Sequence, residues 1–242
     1  MAIEIALRAL SWIEPLLDLI YPPRCAVCGE GSMSPLCDTC LAAIVPIPLP
    51  HCSICGQSLG DHEQCNHCSR RLPAFDAALA LGAYEGVLQQ AIHHMKYRDR
   101  PQLAEPLGTA LATFATASDS TYAGLKFDLV MPVPMSSARQ RVRGYNQAER
   151  LARVVARELS VPLNTTAAAR SRSARPQVGL SREARQRNLA GAFTVKETAI
   201  VTGKTILLID DVSTTGSSLH EVSKALKAAG AKGVYGLTLA AG

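Results

Sequence analysis

Apolar residues fall into short blocks whose spacing alternates between a helical and a strand period along the chain. Near the start they recur at Ile5, Leu10, Ile13, Leu16, Leu17 and Ile20, roughly at helical spacing. This predicts a short amphipathic helix over 1–22 that packs on the protein itself, with contact to a membrane surface as the alternative. Glu4, Arg8, Glu14 and Asp18 interrupt the segment and no small-residue cleavage site follows, so it does not read as a targeting signal. No apolar run reaches the roughly 18 to 20 residues that a membrane helix needs. After Pro73 strands are expected over 79–84, 127–133, 204–209 and 233–239, and helices over 87–97, 103–117, 147–159 and 217–229. The stretch 118–124 reads as a polar loop. The block 204–209 has no polar interruption after Thr205, the pattern of a central strand buried on both faces. Gly230 closes the helix before it as a C-cap. Strands alternating with helices predict an α/β domain with a parallel sheet.

Composition agrees with a globular chain: 242 residues, 48 % hydrophobic and 19 % charged, is enough for one large domain or two small ones. Charge changes the picture more. The net charge is +5, yet 139–187 holds 12 Arg, no Lys, and only Glu149, Glu158 and Glu183 as acids, a local balance of +9. The other 193 residues therefore sum to −4. Arginine grips phosphate oxygens in pairs, so the band predicts an anionic ligand, either a phosphorylated small molecule or a nucleic-acid backbone. A solvated, salt-bridged surface is the plainer alternative, but three acids cannot pair twelve arginines.

All 8 Cys lie between positions 25 and 68, as the C-x2-C pairs Cys25/Cys28, Cys37/Cys40, Cys52/Cys55 and Cys65/Cys68. Two thiolates on a tight turn share one tetrahedral ion and a second pair completes it. Gly29 and Gly56 follow Cys28 and Cys55, and the repeated spacing marks an internal duplication. Two structural Zn2+ sites are expected, with no open coordination position. Sequential pairing, 25/28/37/40 then 52/55/65/68, closes the shorter loops, while a crossed pattern stays open. Disulfides would need an oxidising compartment, and the chain carries no secretion signal, so reduced thiolates and a cytoplasmic location are expected. His51, His62 and His67 lie nearby as bystanders, since eight thiols already fill two sites. Pro46, Pro48 and Pro50 mark a linker between the clusters. The domain reading is a helix over 1–22, a zinc module over 23–72 and an α/β domain over 73–242.

The richest chemistry lies in 206–218, Ile-Leu-Leu-Ile-Asp-Asp-Val-Ser-Thr-Thr-Gly-Ser-Ser. A buried strand delivers Asp210 and Asp211 at its carboxyl end, where ligands bind in open α/β sheets. A loop of hydroxyls follows, Ser213, Thr214, Thr215, Ser217 and Ser218, with Gly216 letting the backbone approach closely before a helix begins. Loop amides and the helix N-terminus make an anion site. Ionised carboxylates accept only, so the acids suit ribose hydroxyls or a metal ion. A plain capped strand–turn–helix would leave the paired acids unexplained.

This segment resembles the phosphoribosyl pyrophosphate (PRPP) motif of the type I phosphoribosyltransferases, with Ser218 where Thr is usual. The resemblance implies that Asp210 and Asp211 hold the ribose hydroxyls. It also implies that Ser213, Thr214, Thr215, Gly216 and Ser217 hold the 5′-phosphate. After the strand ending at Pro134, the loop 135–147 would hold pyrophosphate, with Arg139, Arg141 and Arg143 supplying charge, chiefly Arg139 and Arg143. The polar stretch 172–193 reads as a lid over the site.

The whole chain resembles the ComF family, which pairs a zinc ribbon with such a domain. Matching pieces run in order: Pro22-Pro-Arg-Cys25, Lys96-Tyr97, Pro132-Val-Pro134, Arg143-Gly-Tyr-Asn-Gln147, Gln177, Arg187-Asn188, Gly191-Ala-Phe193 and 206–218. The resemblance implies a parallel-sheet type I phosphoribosyltransferase fold behind a small N-terminal zinc-ribbon module, and a link to DNA uptake in natural transformation. It also implies PRPP with Mg2+ as ligands, and single-stranded DNA and a DNA-uptake helicase as partners.

Two functions remain. One is an enzyme that transfers phosphoribosyl to an acceptor and releases pyrophosphate, with Asp210, Asp211 and Arg143 in catalytic roles and charge stabilisation by arginine and Mg2+. The other is a non-catalytic single-stranded nucleic-acid-binding accessory protein on the same fold. It lacks interleaved aromatics, since only Tyr145 lies within the arginine band and Phe193 just past it. The first needs Asp210 and Asp211, whereas the second needs the arginines and tolerates Asp→Asn. No role is assigned to His93 and His94.

Overall fold

The computed structural model describes residues 22–242 apart from Gln64, His67, Arg71, Asp99 and 171–188. Residues 1–21 of the helix expected over 1–22 and most of the lid expected over 172–193 lie outside the described residues. The end of that stretch is described: Leu189, Ala192 and Phe193 are buried there.

In chain order the elements are α1 (Asp38–Ala42), β1 (Ala77–Ala83), α2 (Gly86–Tyr97), a 3-10 turn (Pro101–Leu103), α3 (Ala104–Thr116), β2 (Leu129–Pro132), α4 (Ser137–Arg143) and α5 (Gln147–Leu159). Then come β3 (Ala168–Arg170), β4 (Phe193–Val195), α6 (Thr198–Val201), β5 (Thr205–Ser213), α7 (Ser217–Ala228) and β6 (Gly233–Ala241). Strands β1, β6, β5 and β2 form one sheet in that order, parallel throughout.

Alternation along β5 builds two cores. Leu207 and Ile209 face one side, where Leu88 and Ile92 of α2, Leu107 and Leu111 of α3, and Leu151 and Val155 of α5 close over them. Ile206 and Leu208 face the other, against Leu219, Val222 and Leu226 of α7. Burying each such side chain contributes about 1.5–3 kcal/mol. This double burial is what the unbroken apolar run 204–209 signals.

Several elements depart from expectation. β5 continues past Ile209 because β6 keeps pairing with it, Asp210 opposite Thr238 and Ser213 opposite Ala241. The expected pyrophosphate loop contains α4, whose N-cap Ser136 accepts from the Arg139 N–H and whose end is closed by Gly144. The supposedly polar loop 118–124 carries Tyr122, which is fully buried, stacks edge-on against Phe127 and Tyr235, and donates to the carbonyls of Ala77 and Gly236. An apolar ring can enter the core there because its hydroxyl finds backbone acceptors. The antiparallel pair β3–β4 packs beside α7.

The cysteine-rich segment is two ribbons with one backbone pattern. Cys25 N–H donates to Glu30 O at 2.8 Å and Gly29 N–H to Cys25 O at 3.0 Å. Cys52 N–H donates to Gln57 O and Gly56 N–H to Cys52 O, both at 2.8 Å. Together the ribbons cover the outer edge of β1. Ala83 N–H donates to Val45 O at 2.9 Å and Ala78 N–H to Ile54 O at 2.7 Å, so this edge is not left open for pairing with another chain.

Candidate functional site

Each ribbon gathers four sulfurs. Cys25, Cys28, Cys37 and Cys40 form one cluster and Cys52, Cys55, Cys65 and Cys68 the other, all sulfurs of a cluster within 4.8 Å. The pairing is therefore sequential. Sulfur separations are 3.7 Å for Cys25–Cys40 and Cys28–Cys37, 3.9 Å for Cys52–Cys68 and 3.5 Å for Cys55–Cys65. A disulfide needs about 2 Å. A tetrahedral ion with Zn–S near 2.3 Å sets sulfurs about 3.8 Å apart, so the clusters fit Zn2+. Burial pushes the Cys25 thiol up, but N–H donation from Cys28, Cys37 and Val27 outweighs it and holds the thiol near 6. Burial pushes Cys55 up to about 12 and raises Cys40 and Cys68 as well. Metal uptake must therefore displace protons.

The second site forms where β5 ends. Strand direction carries Asp210 and Asp211 to the carboxyl edge of the sheet, and 213–217 turns the chain into α7. Gly216 sits at φ +65°, the left-handed region glycine favours, and is the N-cap of α7. With no capping side chain at Gly216, the first amides of α7 face the loop. Asp210, Ser213, Thr214, Thr215, Gly216 and Ser217 line one pocket together with Leu189. Its volume of about 70 Å³ suits a phosphate-sized group. The Thr215 and Ser217 hydroxyls lie 2.6 Å apart and hydrogen-bond each other.

The two acids differ. Asp210 Oδ1 accepts from the Asp211 N–H at 2.9 Å. Burial, then the neighbouring Asp211 charge, push the Asp210 carboxyl up to about 7, against the opposing effect of that N–H, Lys96 and Arg170. Asp211 pairs instead with Lys96 Nζ at 3.0 Å, and both side chains are largely buried. Lys96 reaches it from the last turn of α2. Sequence reasoning noted Lys96 without giving it a role, because nothing local links α2 to β5.

The arginines divide as well. On α4, Arg139 and Arg143 are four residues apart and share a face, with Arg141 turned elsewhere and exposed. Arg143 does not reach the pocket lining. Its guanidinium donates to Gln147 Oε1 at 3.2 Å and to the Tyr97 hydroxyl at 3.1 Å, and lies 5.0 Å from the Tyr97 ring centre. Arg170, which the sequence reading passed over, sits at the end of β3 over the Phe193 ring. Burial, then the positive charge of Arg139, lower its pKa, and Asp210 raises it, so Arg139, Arg170 and Asp210 share one electrostatic neighbourhood. Among the described residues no helix is long and apolar enough to cross a membrane.

Comparison with known proteins matches both halves. Residues 16–69 match the double zinc ribbon domain and residues 145–241 the phosphoribosyl transferase domain. Competence protein F of Haemophilus influenzae is 31% identical over 224 residues, covering 90% of this chain and 97% of that protein. The DNA utilization protein YhgH of Escherichia coli K12 is 29% identical over 211 residues, covering 87% of this chain and 86% of that one. Among solved structures, the allosteric regulatory enzyme of purine biosynthesis aligns with TM-score 0.39 and 18% identity, over 60% of this chain and 29% of that one.

Proposed function

Because the chain belongs to the competence protein F (ComF) family, a double zinc ribbon joined to a phosphoribosyltransferase domain, we propose that it binds PRPP and transfers its phosphoribosyl group. One observation carries this reading: paired acids at the carboxyl end of a central parallel strand run directly into a hydroxyl-rich loop that lines a phosphate-sized pocket. In this reading 23–72 is the zinc module and 73–242 the transferase domain.

Loop amides and the hydroxyls of Ser213, Thr214, Thr215 and Ser217 hold the 5′-phosphate, with Gly216 allowing close approach. Asp210 and Asp211 accept from the ribose hydroxyls. Lys96 pairs with Asp211 and fixes it in place, while burial and the neighbouring Asp211 charge push Asp210 up to about 7, so Asp210 changes charge near neutral pH. Arg139 and Arg143, on one face of α4, meet the pyrophosphate. The carboxylates and phosphate oxygens are hard donors that suit Mg2+, which when bound neutralises pyrophosphate charge. An acceptor nitrogen attacks C1 of the ribose as the bond from C1 to the pyrophosphate oxygen breaks. The bonding electrons leave with pyrophosphate, and the acceptor proton passes to solvent. Positioning and charge stabilisation carry the step, so no dedicated base is required.

The relatives' names, a competence protein and a DNA utilization protein, support a role in handling imported DNA. Single-stranded DNA and a DNA-uptake helicase are the partners this role implies. Reduced thiols in metal clusters support a cytoplasmic location.

Calorimetric titration of PRPP with Mg2+ tests the reading. Saturable binding is expected for the wild type, and none for the Asp210→Asn, Asp211→Asn double variant. A folded, zinc-loaded wild type that binds no PRPP overturns it.

A further inference from the structure

The ribbon repeat places Gln57 and Glu30 at equivalent positions, each with its carbonyl accepting from the N–H of the ribbon's first cysteine. Their side chains have different surroundings. Glu30 is exposed and makes no side-chain hydrogen bond among the described residues. Gln57 Nε2 donates to the carbonyl of Thr214, inside the phosphate loop and 157 residues away in sequence, at 3.2 Å.

We infer that Gln57 is a positioning residue of the phosphate loop, so that the anion site is built jointly by the second ribbon and the sheet. The ligand assignment rests on the PRPP reading above.

Five contacts, in the second ribbon and in the segment that joins it to β1, make the ribbon a fixed support rather than a chance neighbour. The Gln57 N–H donates to the Cys55 sulfur, tying this residue's backbone to a metal ligand. Ile54 O accepts from Ala78 N–H on β1 at 2.7 Å. Gly56, at φ +69°, lies so close to β1 that a Cβ there would stand 2.6 Å from Ala78 O. Between ribbon and strand, Ala74 N–H donates to His220 Nδ1 of α7 at 3.0 Å, and the Phe75 ring would lie 3.7 Å from a Cβ at Gly216. The ribbon thus reaches the loop at Thr214, and the segment 74–75 that joins it to β1 reaches the start of α7.

Its effect on the loop follows from peptide geometry. The bond between Thr214 and Thr215 is trans, so the carbonyl of one and the N–H of the next point in opposite directions. Anchoring the Thr214 carbonyl toward Gln57 turns the Thr215 N–H away from the ribbon. Gln57 itself does not line the pocket, whereas Thr214 and Thr215 do. A donor held ready for an anion costs no reorganisation when the anion arrives.

Three variants of the full-length, zinc-loaded protein test this. Gln57→Met keeps length and removes the donor, Gln57→Lys restores a donor, and Glu30→Met is the matched change in the first ribbon. PRPP with Mg2+ is titrated into each, and hydrogen exchange of the 213–218 amides is followed without ligand. Gln57→Met is expected to bind PRPP about five-fold more weakly, the worth of one hydrogen bond. Its loop amides are expected to exchange faster, with unchanged zinc content and melting temperature. Gln57→Lys should recover the exchange protection, and Glu30→Met should match the wild type in both measurements. Wild-type affinity and wild-type exchange in Gln57→Met overturn the inference. If the wild type itself binds no PRPP, the functional reading falls instead. Exchange then decides alone: faster loop exchange in Gln57→Met supports the inference and unchanged exchange overturns it.

Discussion

The first ribbon and the second share a metal-binding pattern and differ in what lies beneath them. Cys25, Leu36 and Cys40 of the first are part of the core formed with α2, α3 and α5. The second lies on the other face, with Ile54 and Cys55 only partly buried against the core under α7. One ribbon therefore sends Cys25, Leu36 and Cys40 into the main core, and the other is a wall beside the phosphate loop. Duplication supplied two copies of one small fold, and the sheet, by having two faces, gave each copy a separate task.

The largest expected difference comes from metal loss. Cys40→Ser and Cys65→Ser each remove one ligand from a closed four-sulfur site and should lower zinc from two ions per chain to one. A structural zinc contributes about 10 kcal/mol or more, and Cys40 lies in the main core, so Cys40→Ser should abolish the cooperative melt. Cys65→Ser should keep that melt at a lower temperature while losing PRPP binding. Indistinguishable melting curves for the two variants, measured with metal analysis, would break the comparison.

Next in size is a test confined to the loop face. The folded state raises the Asp210 pKa from 3.8 to about 7, so it favours the protonated acid. The stability tied to that proton is fully present below about pH 4 and is lost as pH rises through about 7. Asp210→Asn keeps an oxygen to accept from the Asp211 N–H and carries no charge. Denaturant titration should find it more stable than wild type at pH 8, by up to about 4 kcal/mol, and equal near pH 4. Equal stability at pH 8 would remove burial as the cause. The same variant should lose PRPP affinity, so stability and binding pull apart at this residue.

The smallest test compares packing. Leu36 is 1% exposed, and Leu36→Ala should cost about 3 kcal/mol. Ile54 is only partly buried, and Ile54→Ala should cost about 1 kcal/mol. Chemical denaturation of both variants sharpens the contrast, and equal costs would blur it.

Much of this was legible in the sequence wherever one short segment carries a whole element. The run 206–209 announces a strand buried on both faces, and the spacing of the cysteine pairs announces two metal sites. What stayed hidden depends on contacts between distant segments. Lys96 reaches Asp211 and Gln57 reaches Thr214 only once the sheet has formed. Tyr122 looks like part of a polar loop because its acceptors, on β1 and β6, are remote in sequence. The helix α4 was missed because its arginines carry no apolar period, and its capping signals, Ser136 and Gly144, were read as loop. The arginine band divides in three dimensions: Arg143 packs on Tyr97, Arg157 pairs with Glu105 and Glu158, and 171–188 lies outside the described residues.

Strand order has a consequence for how the chain is made. The last strand in sequence, β6, is not at an edge: it lies between β1 and β5. During synthesis the ribbons leave the ribosome before β1 and can load metal while β1 still lacks its hydrogen-bonded neighbour in the sheet. Residues 233–241 must emerge before β1 and β5 can be bridged. Closure of the sheet is thus a long-range event that waits on translation of β6. Until then the acidic pair has no finished sheet beneath it, and the growing chain cannot hold a ligand there before residues 233–241 have emerged.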